Sequence, residues 1–120
     1  MAFKDVRGRA GESLAAAYLE LTGFQVIERN IRVAGVEIDL VADDRGTVVL
    51  VEVKTRARND WGGAAMAIDQ AKRERLRRAA MSFEQRGAER IRIDVIAIET
   101  DAKGARLTHH RNAIEGRSGA

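Results

Sequence analysis

Two stretches of alternating residues, "VEIDLVA" (36–42) and "TVVLVEVK" (47–54), are separated only by Asp43-Asp44-Arg45-Gly46. Period-two alternation rich in valine and isoleucine marks β-strands, and the linking tetrapeptide is a tight-turn sequence, so the pair forms a hairpin. This hairpin constrains the chain more than any other feature, because it sets where charged side chains fall. By alternation Val36, Ile38, Leu40 and Ala42 face one way and Glu37, Asp39 and Val41 the other, while Val48, Leu50, Glu52 and Lys54 share a face. A two-residue turn at Arg45–Gly46 sets Asp39 directly opposite Glu52. A four-residue loop over 43–46 sets Glu37 opposite Glu52 and leaves Asp39 diagonal. Either register puts Asp39, Glu52 and Lys54 on one surface; a three-residue loop does not.

Around the hairpin the remaining elements are readable by period and by glycine. A helix is expected from Gly8 to Thr22, stopped by Gly23, with Leu14, Ala15, Tyr18, Leu19 and Thr22 on or near one stripe. "FQVIERNI" follows as a strand. A long helix is expected from Ala64 to about Arg86, ended by Gly87, then "RIRIDVIAI" as a strand and "ARLTHH" as a short last one. The order αβββαβ, with that short final strand, is an α/β arrangement. With no proline, repeat or low-complexity linker, the 120 residues read as one domain with its core over 8–114 and a frayed tail. The opening "MAFKDVRGRAGES" lacks an apolar leader core, and no apolar run reaches membrane length; with no cysteine, a reducing, cytoplasmic location and no membrane partner are expected.

The charged residues at the hairpin's end call for a partner. Two carboxylates on directly opposed strand residues, about 5 Å apart, repel by roughly 3 kcal/mol at an effective dielectric near 20. Lys54 offsets part of this. A divalent cation offsets more, since Mg²⁺ accepts one or two carboxylates with other hard oxygens, such as the Val53 carbonyl lying between Glu52 and Lys54. Glu12 shares a helix side with Ala15, Ala16 and Leu19, so it points toward the packed side, although an acid in a first turn also favours the helix dipole by itself. Lys72 sits in the stripe Ile68, Lys72, Leu76, Ala79, Phe83. Such a lysine commonly runs its stem out to water; the alternative is that it reaches the acidic pocket or a bound phosphate.

Charge is unevenly spread. Residues 10–52 carry three basic and eight acidic side chains, whereas residues 54–92 carry eleven basic and five acidic. An acidic focus beside a basic region suits the handling of phosphodiesters: carboxylates for a cation, arginines for the backbone. The same arginines would also serve an ordinary solvated face. In "TRARNDWGG", Arg56 and Arg58 can contact phosphates and Trp61 can stack on an unpaired base, although a lone tryptophan more often packs. Asp94 shares a strand face with Arg92, which favours an ion pair within the sheet. His109 and His110 lie far along the chain from any serine or acid pattern, and no phosphate-binding glycine loop is present.

Glu12 on a helix, Asp39, and Glu52-Val53-Lys54 on the following hairpin strand together resemble the signature of the restriction-endonuclease-like superfamily, written PD-(D/E)xK. More closely, Gly11-Glu12, "GVEIDLVA", "VLVEVKTR", Gly62-Gly63, Lys72 and "RIDV" resemble the YraN-like family, itself similar to archaeal Holliday-junction resolvases. The likeness covers residues 8 to about 114. Leu50 and Ile93 stand where the family often has phenylalanine, and Ile38 replaces the signature's proline. The resemblance implies a central mixed sheet flanked by helices and metal-dependent cleavage of DNA, with branched or recombination intermediates as substrates. It also implies Mg²⁺ or Mn²⁺ on Asp39 and Glu52 with Glu12 assisting, Lys54 orienting or deprotonating the attacking water, and a homodimer. The other expectations open at this stage are a nucleic-acid-binding module of the same fold without catalysis, and an interaction domain in which Glu52 and Lys54 are a structural ion pair.

Overall fold

A computed structural model describes residues 3–57 and 68–115, with residues 3–7 described by their backbone alone. The element order is α1 (Phe3–Leu21), β1 (Gln25–Val33), β2 (Val36–Asp44), β3 (Thr47–Ala57), α2 (Gln70–Gln85), β4 (Ile91–Asp101) and β5 (Gly104–His110). The expected α/β architecture, final strand included, is therefore present. Five strands form one sheet in the order β1-β2-β3-β4-β5. Neighbours are antiparallel except β3 and β4, which run parallel. Parallel neighbours need a crossover, and α2 lies within it.

The β2–β3 turn is the two-residue form. Asp44 pairs with Thr47, and Arg45 and Gly46 both take positive φ, 52° and 96°. Positive φ at both central residues is the hairpin turn whose twist matches that of paired strands. Each helix ends on a left-handed glycine. Phe24 N–H reaches back to the Leu19 carbonyl and Ala88 N–H to the Phe83 carbonyl, at 2.9 and 3.0 Å, which satisfies carbonyls that the helix end would otherwise orphan.

The two helices cover opposite faces of the sheet. Ala15, Ala16 and Leu19 of α1 pack on Leu40, Ala42, Val49, Val51, Ile96 and Ile98. Leu76, Ala79 and Ala80 of α2 pack with Ile68 on Val41, Leu50, Ile93 and Val95. Leu50 and Ile93, where the family often has phenylalanine, are both buried in this second cluster. No helix among the described residues is long and apolar enough to cross a membrane.

Four expectations need correction. α1 begins at Phe3, before the expected Gly8, and ends at Leu21. α2 does not run on from Ala64, because Ile68 and Asp69 are not helical; Asp69 is its N-cap, with an extended backbone and a side chain accepting the Lys72 N–H at 2.8 Å. Leu14 and Thr22 are exposed rather than part of the α1 stripe, and the packed side is the one carrying Ala15, Ala16 and Leu19. The fourth lies in β2. Ile38 belongs to the cluster under α2, whereas Leu40, two residues on, belongs to the cluster under α1. Residues two apart on a regular strand share a face. The strand therefore changes its facing at Asp39.

Candidate active site

Pairing between β2 and β3 proceeds from Asp44–Thr47 to Leu40–Val51 and stops. Beyond that point β2 pairs only with β1 and β3 only with β4. Asp39 and Glu52 are the next residues along, and continuing the same register by one step puts them opposite each other. The strands part at these two acids. The Asp39 carboxylate fills the junction, its Oδ2 accepting the Val53 N–H at 2.8 Å. On the other side of β2 the ladder is also interrupted: no pair is formed between Arg29–Leu40 and Ile31–Ile38, and Asn30 takes a left-handed φ of 49°, which asparagine tolerates better than most residues.

Helix α1 brings Glu12 to the same place. Gly11 allows this, because a β-carbon there would collide with the Thr55 hydroxyl of β3. There Glu12 lies near Asn30 and Asp39, and the Asp39 carboxylate adds to the rise in its pKa. From the opposite face α2 delivers Lys72, whose Nζ lies 3.3 Å from Glu52 Oε2. Of the two alternatives for this lysine, it is the acidic pocket that it reaches. The other Glu52 oxygen, Oε1, is buried and accepts no hydrogen bond among the described residues. An orphaned acceptor of this kind costs about 1–3 kcal/mol.

Burial dominates the electrostatics. It raises the pKa of Glu12 and Glu52, and raises that of Asp39 to about 6, with Glu52 the next contributor to the shift at Asp39. Lys54 moves the opposite way, lowered first by burial and then by the Arg56 guanidinium. Glu12, Asp39, Glu52 and Lys54 are thus pushed toward their neutral forms, as expected where burial penalises charge. The residues fit a hard divalent cation: two adjacent carboxylates, one unpartnered oxygen and a main-chain carbonyl at Val53, the remaining positions falling to water or phosphate. No group of three or more His, Cys, Asp or Glu placed to hold a metal by itself occurs among the described residues.

Arg56, half-buried, donates to the Thr55 carbonyl at 3.2 Å. Arg58, Trp61 and the Gly62-Gly63 pair lie outside the described residues. Part of the basic surplus over 54–92 is engaged within the fold. Arg77 pairs with Glu74 and donates to the Glu115 carbonyl. Arg92 binds Asp94 through two nitrogens and reaches Asp44 at 3.0 Å.

The ion pair expected between Arg92 and Asp94 is the centre of a larger network that sequence reading missed. Asp94 is fully buried and also accepts from Asn112 N–H and from His109 Nε2, at 2.9 and 2.8 Å. A carboxylate only accepts, so Nε2 carries the proton and Nδ1 is left facing the Tyr18 hydroxyl at 2.8 Å. His109 is therefore not remote from acids. Pairing of β5 with β4, which aligns His109 with Ile96, brings it there.

The signature of the uncharacterised protein family UPF0102 matches residues 11–98. The chain belongs to that family. Glu12, Asp39, Glu52, Lys54 and Lys72 all fall within the matched span, whereas His109 lies beyond it. A UPF0102 protein of Paenarthrobacter aurescens is 46% identical over 101 residues, covering 82% of this chain and 84% of its own. One from Geobacter metallireducens is 40% identical over 111 residues, covering 90% and 91%. Among solved structures, a repair endonuclease from Pyrococcus abyssi superposes with a TM-score of 0.51 at 20% identity over 74% of this chain. This chain spans only 38% of that one. At such identity the likeness is one of fold, and this UPF0102 chain has the restriction-endonuclease-like fold.

Proposed function

We propose that this chain is a divalent-metal-dependent endonuclease that hydrolyses phosphodiester bonds in DNA, with branched or recombination intermediates as its substrate class. The observation that carries the reading is the parting of β2 and β3 at Asp39 and Glu52, with Lys54 following on the same strand face. Asp39 and Glu52, with the Val53 carbonyl, would hold Mg²⁺ or Mn²⁺, and Glu12 would steady Asp39. When bound, the ion supplies Lewis acidity toward the phosphate and lowers the pKa of a water. The Val53 N–H fixes the Asp39 carboxylate in the gap. Lys54, its proton held less tightly than that of a solvated lysine, can accept a proton from the attacking water or stay charged against the phosphate. The substrate class rests on the resemblance to junction resolvases and on the basic stretch that begins at Lys54.

The test is cleavage of flap, four-way-junction and single-stranded DNA with Mg²⁺ or Mn²⁺. Asp39→Asn and Lys54→Ala are each expected to lower the rate by about 100-fold or more, of the order seen when charged groups acting on a transition state are removed. Equal cleavage by wild type and Asp39→Asn would refute the assignment. The absence of a three-acid group among the described residues favours a second reading, a nucleic-acid-binding module without catalysis. That reading predicts salt-dependent DNA binding with no cleavage in any metal.

A further inference from the structure

We infer that Lys72 is an internal competitor for the cation: its ammonium holds Glu52 until a divalent ion displaces it, and it then becomes free to hold the substrate phosphate. The inference rests on the metal-site reading above, and goes beyond it by giving α2 a part in the reaction.

Four observations support it. The Lys72 ammonium lies 3.3 Å from Glu52 Oε2, with the lysine side chain 30% exposed and the glutamate 12%. This is a part-buried contact rather than a solvated surface pair. Lys72 sits in the first turn of α2, where the helix dipole disfavours a cation, and the acid at this helix end, the N-cap Asp69, is engaged by the Lys72 backbone N–H. The ammonium group instead pairs with Glu52 of β3. The contact is also incomplete, since Glu52 Oε1 is left buried without a partner. Finally, a dication would tip the charge of the site. Glu12, Asp39 and Glu52 face the ammonium groups of Lys54 and Lys72, so an added dication turns a slight excess of negative charge into an excess of positive charge. A dication and an ammonium sharing one carboxylate repel. The mobile member is the lysine, with its long flexible stem, and an incoming phosphodiester supplies the negative charge that attracts it.

Calorimetric titration of Mn²⁺ into wild type, Lys72→Met, Lys72→Gln and Lys72→Arg tests the proposal without relying on turnover. Both uncharged variants are expected to bind Mn²⁺ about tenfold more tightly than wild type, because a competing charge is gone. Lys72→Arg should stay near wild type. In single-turnover cleavage at saturating Mn²⁺ the order should reverse, with the uncharged variants slower by about tenfold. Binding by Lys72→Met and Lys72→Gln that equals or falls below wild type would overturn the competition while leaving the metal site standing. Undiminished cleavage by the tighter-binding variants would overturn the phosphate-holding role. No Mn²⁺ binding by any of the four proteins would remove the metal site itself, and this inference with it.

Discussion

Asp39 is half-buried and Asp94 fully buried, and their environments push them in opposite directions. At Asp39 burial and the neighbouring Glu52 raise the pKa from 3.8 to about 6. The folded chain therefore binds more protons than the unfolded chain between those values, and stability falls as pH rises through that window. At about 1.4 kcal/mol per unit, the full shift is worth up to about 3 kcal/mol. Asp39→Asn keeps an oxygen to accept the Val53 N–H and removes the charge. In chelator-treated protein it should raise the urea midpoint at pH 8, by the equivalent of about 1–3 kcal/mol, and change it little at pH 4. At Asp94 burial is outweighed by Arg92, the Asn112 N–H and His109, and the pKa is lowered. Its contribution is present above the ordinary aspartate value and is lost on acidification below it. Asp94→Ala leaves a part-buried guanidinium and an unpaired imidazole N–H, and should cost about 3–5 kcal/mol at pH 7 in the same measurement. Burial and partners, rather than residue type, decide the sign.

The hairpin, both glycine-terminated helices and the five strands were legible because each depends on local periodicity or on a turn sequence. The turn was legible only as far as two registers, of which the Asp44–Thr47 pairing selects the one that opposes Asp39 and Glu52. The start of α2 was not read correctly, since the alternating and apolar residues after Ala64 hid Asp69, a good capping residue. Nor could alternation show that β2 changes its facing at Asp39; the rule assumes a regular strand, and the irregularity coincides with a left-handed Asn30 on a different strand. His109 was illegible for a related reason, because only the β4–β5 register carries it to Asp94. How closely α1 approaches β3 was also hidden, and it hinges on Gly11. Gly11→Ala should push α1 off Thr55, cost about 1–3 kcal/mol of stability and weaken whatever depends on Glu12. Adding Thr55→Ala removes the colliding hydroxyl, so the double variant should recover a large part of that loss in thermal denaturation. Additive losses would show that the close approach is not the cause.

Across the whole molecule, the sheet is paired on both sides through the middle and singly at the outer end of β2. Residues 40–43 of β2 pair with β1 and β3 together, whereas residues 36–38 pair with β1 alone. Hydrogen–deuterium exchange should follow this division, with slow exchange at Leu40 and Ala42 and faster exchange at Glu37 and Ile38. Equal protection along β2 would contradict it. Asp39 stands at the root of the outer segment, and Glu52 on β3, which stays paired with β4 beyond this point. The gap between their carboxylates is thus set by the tilt of a cantilever rather than by a rung of the ladder. A small pivot of the Ile31–Ile38 arm would widen or narrow that opening, so cations of unequal radius could be gripped without repacking the core.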